Sequence, residues 1–409
     1  MNQLEKFKKF IDDRDENIKV GLVGAGQMGK GIVAQLSKMY GVELVCIIDR
    51  NQQQLDSATA RYKKLKDNEI FCSDSILALD NIELDIVIEA TGTPAAGALV
   101  AKNVLNRGIN LILLNVETEA TIGIALSKDA EKNGAIVTIA DGDEPVAALD
   151  LFNFATELSF EVISIGKGKN NPFDTFATPE KLTNEAYLKK MNPNMLTSFV
   201  DGTKTMVEMA SLANFLDFNI DIDGMHGIEA TYENINQFYI PKKDGGLFGQ
   251  TQIVDFAFGI APGVFAVIYS DDDYVNYEME YLKMGKGPYW TLARPYHLTS
   301  LEIPRTIRHI MLEKHTKLSA RSWNVEVVAY AKKDIQPGTN LGSIGGEFIF
   351  GKAHKVSTSR GFLPIGIAED NIVNSVIKKG NPILISQVDT QDNALCEYWK
   401  YQNKILNSD

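Results

Sequence analysis

Residues 20–29 read Val-Gly-Leu-Val-Gly-Ala-Gly-Gln-Met-Gly, an apolar run that breaks into glycines at 24, 26 and 29 and resumes as Gly31-Ile32-Val33-Ala34-Gln35-Leu36. This pattern predicts a strand, a tight turn and the start of a helix. The spacing is G-x-G-x-x-G. Gly24 allows the turn, Gly26 lets the backbone approach a pyrophosphate, and Gly29 lets helix pack on strand. Phosphates would then lie at the helix N-terminus, beside Gly26, Gln27 and Met28. A second apolar run, 42–48, ends at Asp49, which lies 20 residues beyond Gly29, where an acid accepts ribose hydroxyls. The stretch therefore predicts a dinucleotide site for NAD or NADP. Asp49 favours NAD, whereas Arg50 beside it offers a cation to the 2′-phosphate of NADP.

Apolar runs recur at 18–23, 43–48, 84–88, 110–114 and 135–139, with helix-like segments between them. This alternation predicts an α/β fold whose first part is a Rossmann-type, doubly wound parallel sheet. Ligands of such sheets bind beyond the carboxyl ends of the strands. Thr91 and Gly92 after one strand, and Asn115 after another, are therefore candidate cofactor contacts as well as ordinary turn residues. A third strand end, 140–145, gathers Asp141, Asp143 and Glu144, acids suited to chemistry or simply to a helix N-terminus.

From about residue 158 the alternation stops. A strand-like 160–165 leads into Gly166-Lys167-Gly168-Lys169-Asn170-Asn171-Pro172, which reads either as a flexible anion cradle or as a solvated turn. Residues 201–215 follow a helical period, with Lys204 and Glu208 four apart on one face, the spacing of an exposed ion pair. Residues 282–300 mix cations with Tyr289, Trp290 and Tyr296, and 300–314 read as a helix. Beyond Arg321 the alternation of Trp323, Val325, Val327 and Ala329 predicts a small, mostly β tail. The expected domains are 1–155 (completed by a returning helix near 300–315), a central α+β substrate domain over 156–320, and 321–409.

The chain has 409 residues, 44% hydrophobic, enough for two or three cores. A net charge of −12 without a basic stripe gives no reason to expect nucleic acid or an anionic membrane as a partner. Three cysteines, at 46, 72 and 396, form no C-x-x-C pair, which suits a reducing cytoplasm. Residues 1–17 lack the apolar core of a signal peptide, and no segment is apolar enough to span a membrane.

With these residues in view, the first 320 or so positions resemble the homoserine dehydrogenase superfamily, and Ala-Tyr-Ala-Lys-Lys-Asp-Ile-Gln-Pro-Gly-Thr-Asn-Leu-Gly-Ser-Ile-Gly-Gly (329–346) resembles a SAF domain. Gly-Lys-Gly-Lys-Asn-Asn-Pro (166–172) and Asp-Gly-Thr-Lys-Thr-Met-Val-Glu-Met-Ala (201–210) are similar to the 1-deoxy-D-xylulose 5-phosphate reductoisomerase-like branch, whose studied members use NADPH in making an isoprenoid precursor. Two departures make homoserine itself an unexpected substrate. Glu117 stands where that family has a lysine, and Lys204 and Glu208 keep its acid-to-lysine spacing in reverse order.

The resemblance implies hydride transfer between a nicotinamide and a small polyol or keto sugar, with or without a phosphate, in a homo-oligomer. Lys204 would meet the developing alkoxide, oriented by Glu208 or Asp201, while Lys167, Lys169, Asn170 and Glu144 hold the substrate. A reductoisomerase would further need a base or a divalent-metal ligand from Asp143, Glu144 or Glu117. The alternatives are a noncatalytic dinucleotide and sugar sensor, a homoserine dehydrogenase-like enzyme acting on another hydroxy acid, and a lyase retaining its cofactor.

Overall fold

The computed structural model describes residues 2–407, which divide into two compact units. The first comprises 2–143, 298–319 and 393–407; the second comprises 144–297 and 320–392.

The first unit opens with α1 (Gln3–Arg14), whose N-terminus is closed by a reciprocal Asn2–Glu5 capping box and whose Phe7 and Ile11 are buried. The chain continues through β1 (Ile18–Val23), α2 (Gln27–Leu36), β2 (Val42–Ile48), α3 (Gln52–Lys63), β3 (Phe71–Ser73), β4 (Ile86–Glu89), α4 (Pro94–Leu105), β5 (Asn110–Leu113), α5 (Val116–Asn133) and β6 (Val137–Ile139). The six strands pair in parallel in the order β3-β2-β1-β4-β5-β6. The inner strands are covered on both faces, which is why they are dominated by Val, Ile and Leu, whereas the edge strand β3 is short and mostly exposed. The order reverses between β1 and β4, the switch point at which open parallel sheets bind ligands.

Residues from far along the chain complete this unit. The expected helix at 300–314 starts as a 3₁₀ turn, is α-helical over Ile303–Arg308 and ends in a π-helical turn, with Ile303, Ile307 and Ile310 in the core. Asp141, fully buried beyond β6, holds it through His309 Nδ1 at 3.1 Å and Arg305 at 3.6 Å. The C-terminal helix Ala394–Leu406 packs on α4 and α5. Its Gln402 amide donates to the Thr121 carbonyl at 3.0 Å and accepts from the Ala125 N–H at 3.3 Å. A regular helix joins those two groups directly; in α5 the intervening Ile122 is non-helical (φ −136°), so an inserted side chain bridges the kink.

The second unit begins with α6 (Glu144–Glu157), so the expected boundary near 155 falls inside a helix. The reason is packing, because α6 lies against the next strand, β7 (Glu161–Lys169). Then come α7 (Pro179–Lys189), α8 (Pro193–Val200), α9 (Thr203–Leu216), β8 (Ile228–Glu229), β9 (Ile253–Phe258), β10 (Val264–Tyr269), α10 (Asp273–Tyr281) and β11 (Tyr289–Arg294). These strands form a mixed sheet in the order β11-β10-β7-β9-β8. The expected tail, 321–409, is divided. Residues 320–392 belong to the second unit, where the antiparallel pair β12 (Val325–Ala331) and β13 (Ile349–Lys355) packs on α9, while the last helix belongs to the first. Thr203 Oγ1 of α9 accepts from the Gly351 N–H at 2.7 Å, and Asn214 accepts from the Val325 N–H at 3.0 Å.

Candidate functional site

The glycine turn is shaped by close approach. Gly24 has φ +99°, and a Cβ there would stand 2.5 Å from the Ala90 carbonyl oxygen; one on Gly29 would stand 2.2 Å from the Gly24 oxygen. Neither position can carry a side chain. At Gly26 nothing lies within 4 Å of the same construction, so this glycine leaves open space rather than fitting a neighbour. Gly26 is also the N-cap of α2, without a capping side chain and without an acid in the first turn, so nothing competes with an anion for the first N–H groups. Gln27 and Met28 beside it are exposed.

Asp49 accepts from the Ala25 N–H at 2.7 Å and from the Asn51 N–H at 2.8 Å, so the acid expected to meet the ribose also braces the turn; Arg50 is exposed. A nicotinamide dinucleotide fits these residues, with the open space and uncapped helix under its pyrophosphate and Asp49 under its ribose.

At the switch point Glu89 ends β4, fully buried, and accepts from the Thr91 N–H at 2.7 Å and from the Thr91 hydroxyl. Burial pushes its carboxyl up to about 7, against those two donors. Gly92 has φ +80° and open space around it. Asn115 caps α5, accepting from Thr118 N–H at 3.2 Å, while its amide donates to the Thr93 carbonyl at 2.8 Å. It thus ties together the loops beyond β4 and β5.

In the second unit Gly-Lys-Gly-Lys is not the flexible turn expected, since β7 continues through Lys169 and both lysines are buried. The glycines serve close backbone approach: a Cβ on Gly166 would stand 1.7 Å from the Asp255 oxygen, and one on Gly168 2.2 Å from the Ala261 nitrogen. Lys167 Nζ donates to Glu144 Oε1 at 2.7 Å and to Glu208 Oε2. Burial opposes its charge, but the two carboxylates outweigh it and raise the ammonium pKa. Burial, then the nearby Glu144, raises the Glu208 carboxyl, with Lys167 and Lys204 opposing. Lys204 lies 4.0 Å from Glu208 Oε1, and His297 Nε2 lies 3.5 Å from Glu144 Oε1. The Lys204–Glu208 spacing is therefore no exposed ion pair, because Glu208 is buried and belongs to a charged cluster.

Asp201 is committed elsewhere. It is fully buried, pairs with Lys332 at 2.8 Å and accepts from the Thr203 N–H at 2.9 Å, which fixes the start of α9. Lys169 Nζ donates to the Phe199 carbonyl, and burial, then Lys167, pushes its pKa down to about 8. It lines a pocket of about 540 Å³ with Asn170, Pro172, Phe173, Glu229 and Phe258. A divalent cation entering between Glu144 and Glu208 would compete with the Lys167 ammonium already there.

Residues 142–303 match the model of the oxidoreductase DRL catalytic domain, and residues 18–128 match the N-terminal domain of dihydrodipicolinate reductase. Both matched models describe domains of oxidoreductases. No curated protein matches the sequence. Among solved structures, the WlbA dehydrogenase of Chromobacterium violaceum with NADH and UDP-GlcNAcA is similar at 17% identity and a TM-score of 0.33, over 39% of this chain and 46% of its own. GenD2 of gentamicin A biosynthesis, in complex with NAD, is similar at 12% and 0.41, over 73% and 87%. The 1-deoxy-D-xylulose 5-phosphate reductoisomerase of Zymomonas mobilis, in complex with NADPH, is similar at 16% and 0.33, over 46% and 58%. The alignment spans 46% and 54% of the length of the first two such structures.

The sequence marks two further residues of the site, Glu89 at a strand end and His297 in the cationic, aromatic stretch 282–300. Glu89 had a signal, a carboxylate ending a run of Ile-Val-Ile that had to be buried. His297 had its place among cations and aromatics, but only folding brings it to Glu144.

Proposed function

We propose that this chain is an NAD(P)-dependent oxidoreductase that moves a hydride to or from a CH–OH carbon of a small polyol or keto sugar held by the second unit. The observation that carries the reading is the buried cluster of Glu144, Lys167 and Glu208 with Lys204 at its edge. The nicotinamide, when bound, supplies or takes the hydride. A carbonyl oxygen gaining negative charge needs a cation or a proton donor. Lys204 offers both, with Glu208 keeping its head in place. Lys167 holds Glu208 and Glu144 together, so its role is positioning rather than clamping substrate. Lys169 and Asn170 border a pocket suited to an oxygen-rich or anionic end.

The finer reading is a reductoisomerase of the deoxyxylulose phosphate type with a SAF-like tail. It is supported by the catalytic-domain match and by the motifs at 166–172, 201–210 and 329–346.

The test is a panel of keto sugars, their phosphates and the matching polyols, followed at nicotinamide absorbance with each coenzyme. Single-turnover hydride transfer by Lys204→Met is expected to be roughly 100-fold slower or more, with coenzyme affinity unchanged. Wild-type rates in Lys204→Met would remove Lys204 from the chemistry. Coenzyme binding without turnover on any substrate would favour the sensor reading.

A further inference from the structure

Glu89 is a buried acid that the hydride transfer leaves unused. The sheet sets its position: β4 pairs with β1 and β5, so Glu89 lies beside Val23, which precedes Gly24, and beside Leu113. The Ala90 N–H donates to the Val23 carbonyl at 2.7 Å, and the Ala90 oxygen is the atom that stands against Gly24. The glycine turn and the end of β4 are thus adjoining parts of one surface. One carboxyl oxygen, Oε1, accepts from the Thr91 N–H, whereas Oε2 is buried and has no hydrogen-bond partner among the described residues. A buried carboxylate with an unpaired oxygen is costly unless a positive charge is brought to it.

The elements packed around it bring none close. β1 and α4 carry Lys19 and Lys102 at their far ends, where they pair with Glu83 and Glu397. From α5 comes another acid, Glu117, which raises the Glu89 carboxyl further, and Glu119 shares that first turn. With its pKa at about 7, Glu89 has both its forms near neutral pH, and the charge of a ligand decides between them. A nicotinamide ring is a cation when oxidised and neutral when reduced. With the ribose at Asp49, which ends β2, and the pyrophosphate at the start of α2, the other half of a dinucleotide crosses the strand reversal to the end of β4, one strand spacing of about 4.8 Å further on.

We propose that Glu89 is a specificity-determining residue that distinguishes the two redox states of the coenzyme, its carboxylate pairing with the oxidised nicotinamide and its protonated form accommodating the reduced ring. This rests on the coenzyme reading of the glycine turn. The test uses the full chain with NAD⁺ and NADH, which lack the titrating 2′-phosphate. A cation close to a carboxyl lowers its pKa by about 1–3 units, so NAD⁺ affinity is expected to rise at least about fivefold from about pH 6 to about pH 8.5, with no rise for NADH. Calorimetry in buffers of different ionisation enthalpy is expected to show release of roughly 0.4–0.5 proton per NAD⁺ bound at about pH 7, and none for NADH. Glu89→Gln keeps an acceptor for the Thr91 N–H and is expected to abolish the proton release and to make the affinity ratio of the two coenzymes independent of pH. The proton count on the wild-type chain decides the matter even where the variant fails to fold. A wild-type ratio independent of pH, binding of NAD⁺ without proton release, or a folded Glu89→Gln chain that retains both effects would overturn the proposal while leaving the coenzyme site standing. A wild-type chain that binds neither coenzyme would overturn both.

Discussion

Replacing Gln402 with leucine removes an amide while keeping most of its volume. In the folded chain that amide joins Thr121 O, at 3.0 Å, to Ala125 N–H, at 3.3 Å, across the kink at Ile122. All three residues are buried, so water cannot take its place without opening the packing of the last helix on α5. An unsatisfied buried backbone group costs about 1–3 kcal/mol, so the pair costs roughly 2–4 kcal/mol after some relaxation. For a unit of this size each kcal/mol moves the midpoint by about 2–4 °C, which places the expected loss in Tm at roughly 5–12 °C. Thermal melts followed by circular dichroism measure it, and hydrogen exchange at the Ala125 amide localises it, with protection expected to fall in the variant. A change below about 2 °C, with Ala125 still protected, would mean that α5 straightens and closes its own bond. The kink would then be a consequence of the last helix rather than a property of α5.

Three further outcomes follow from the site. Gly26→Val is expected to abolish coenzyme binding in fluorescence titrations while leaving the melt unchanged, because the space at Gly26 is open to ligand and empty of protein; normal affinity would displace the pyrophosphate from this turn. Arg50→Ala is expected to weaken NADPH more than NADH, since Arg50 is exposed beside Asp49; equal losses would take the 2′-phosphate away from it. Lys169 has a folded pKa of about 8, below its usual value, so its charge is present below pH 8 and is lost as pH rises through it. KM for an anionic substrate is therefore expected to climb above pH 8, by up to about tenfold per unit, and to lose that slope in Lys169→Met. The same shift makes folding stability rise with pH between about 8 and the ordinary lysine pKa, because the unfolded chain then binds the extra proton.

The sequence by itself determined the first unit's sheet and its glycine turn. Continuous apolar strands and G-x-G-x-x-G report local requirements, burial on both faces and backbone contacts within a few residues, and these hold whatever the rest of the chain does. It also picked out Lys167, Lys169, Lys204 and Glu208 as a group, on spacing and resemblance. Their roles were decided by tertiary structure. Whether Gly-Lys-Gly-Lys is a loop or a buried strand depends on Asp255 and Ala261, about ninety residues away, which press on its glycines. Whether Asp201 serves Lys204 depends on Lys332, which takes it first. The boundaries were hidden for the same reason: α6 and the last helix each look like neighbours of the sequence around them, but go where their buried faces find partners. Periodicity records that a face is apolar, and only the fold records which surface covers it.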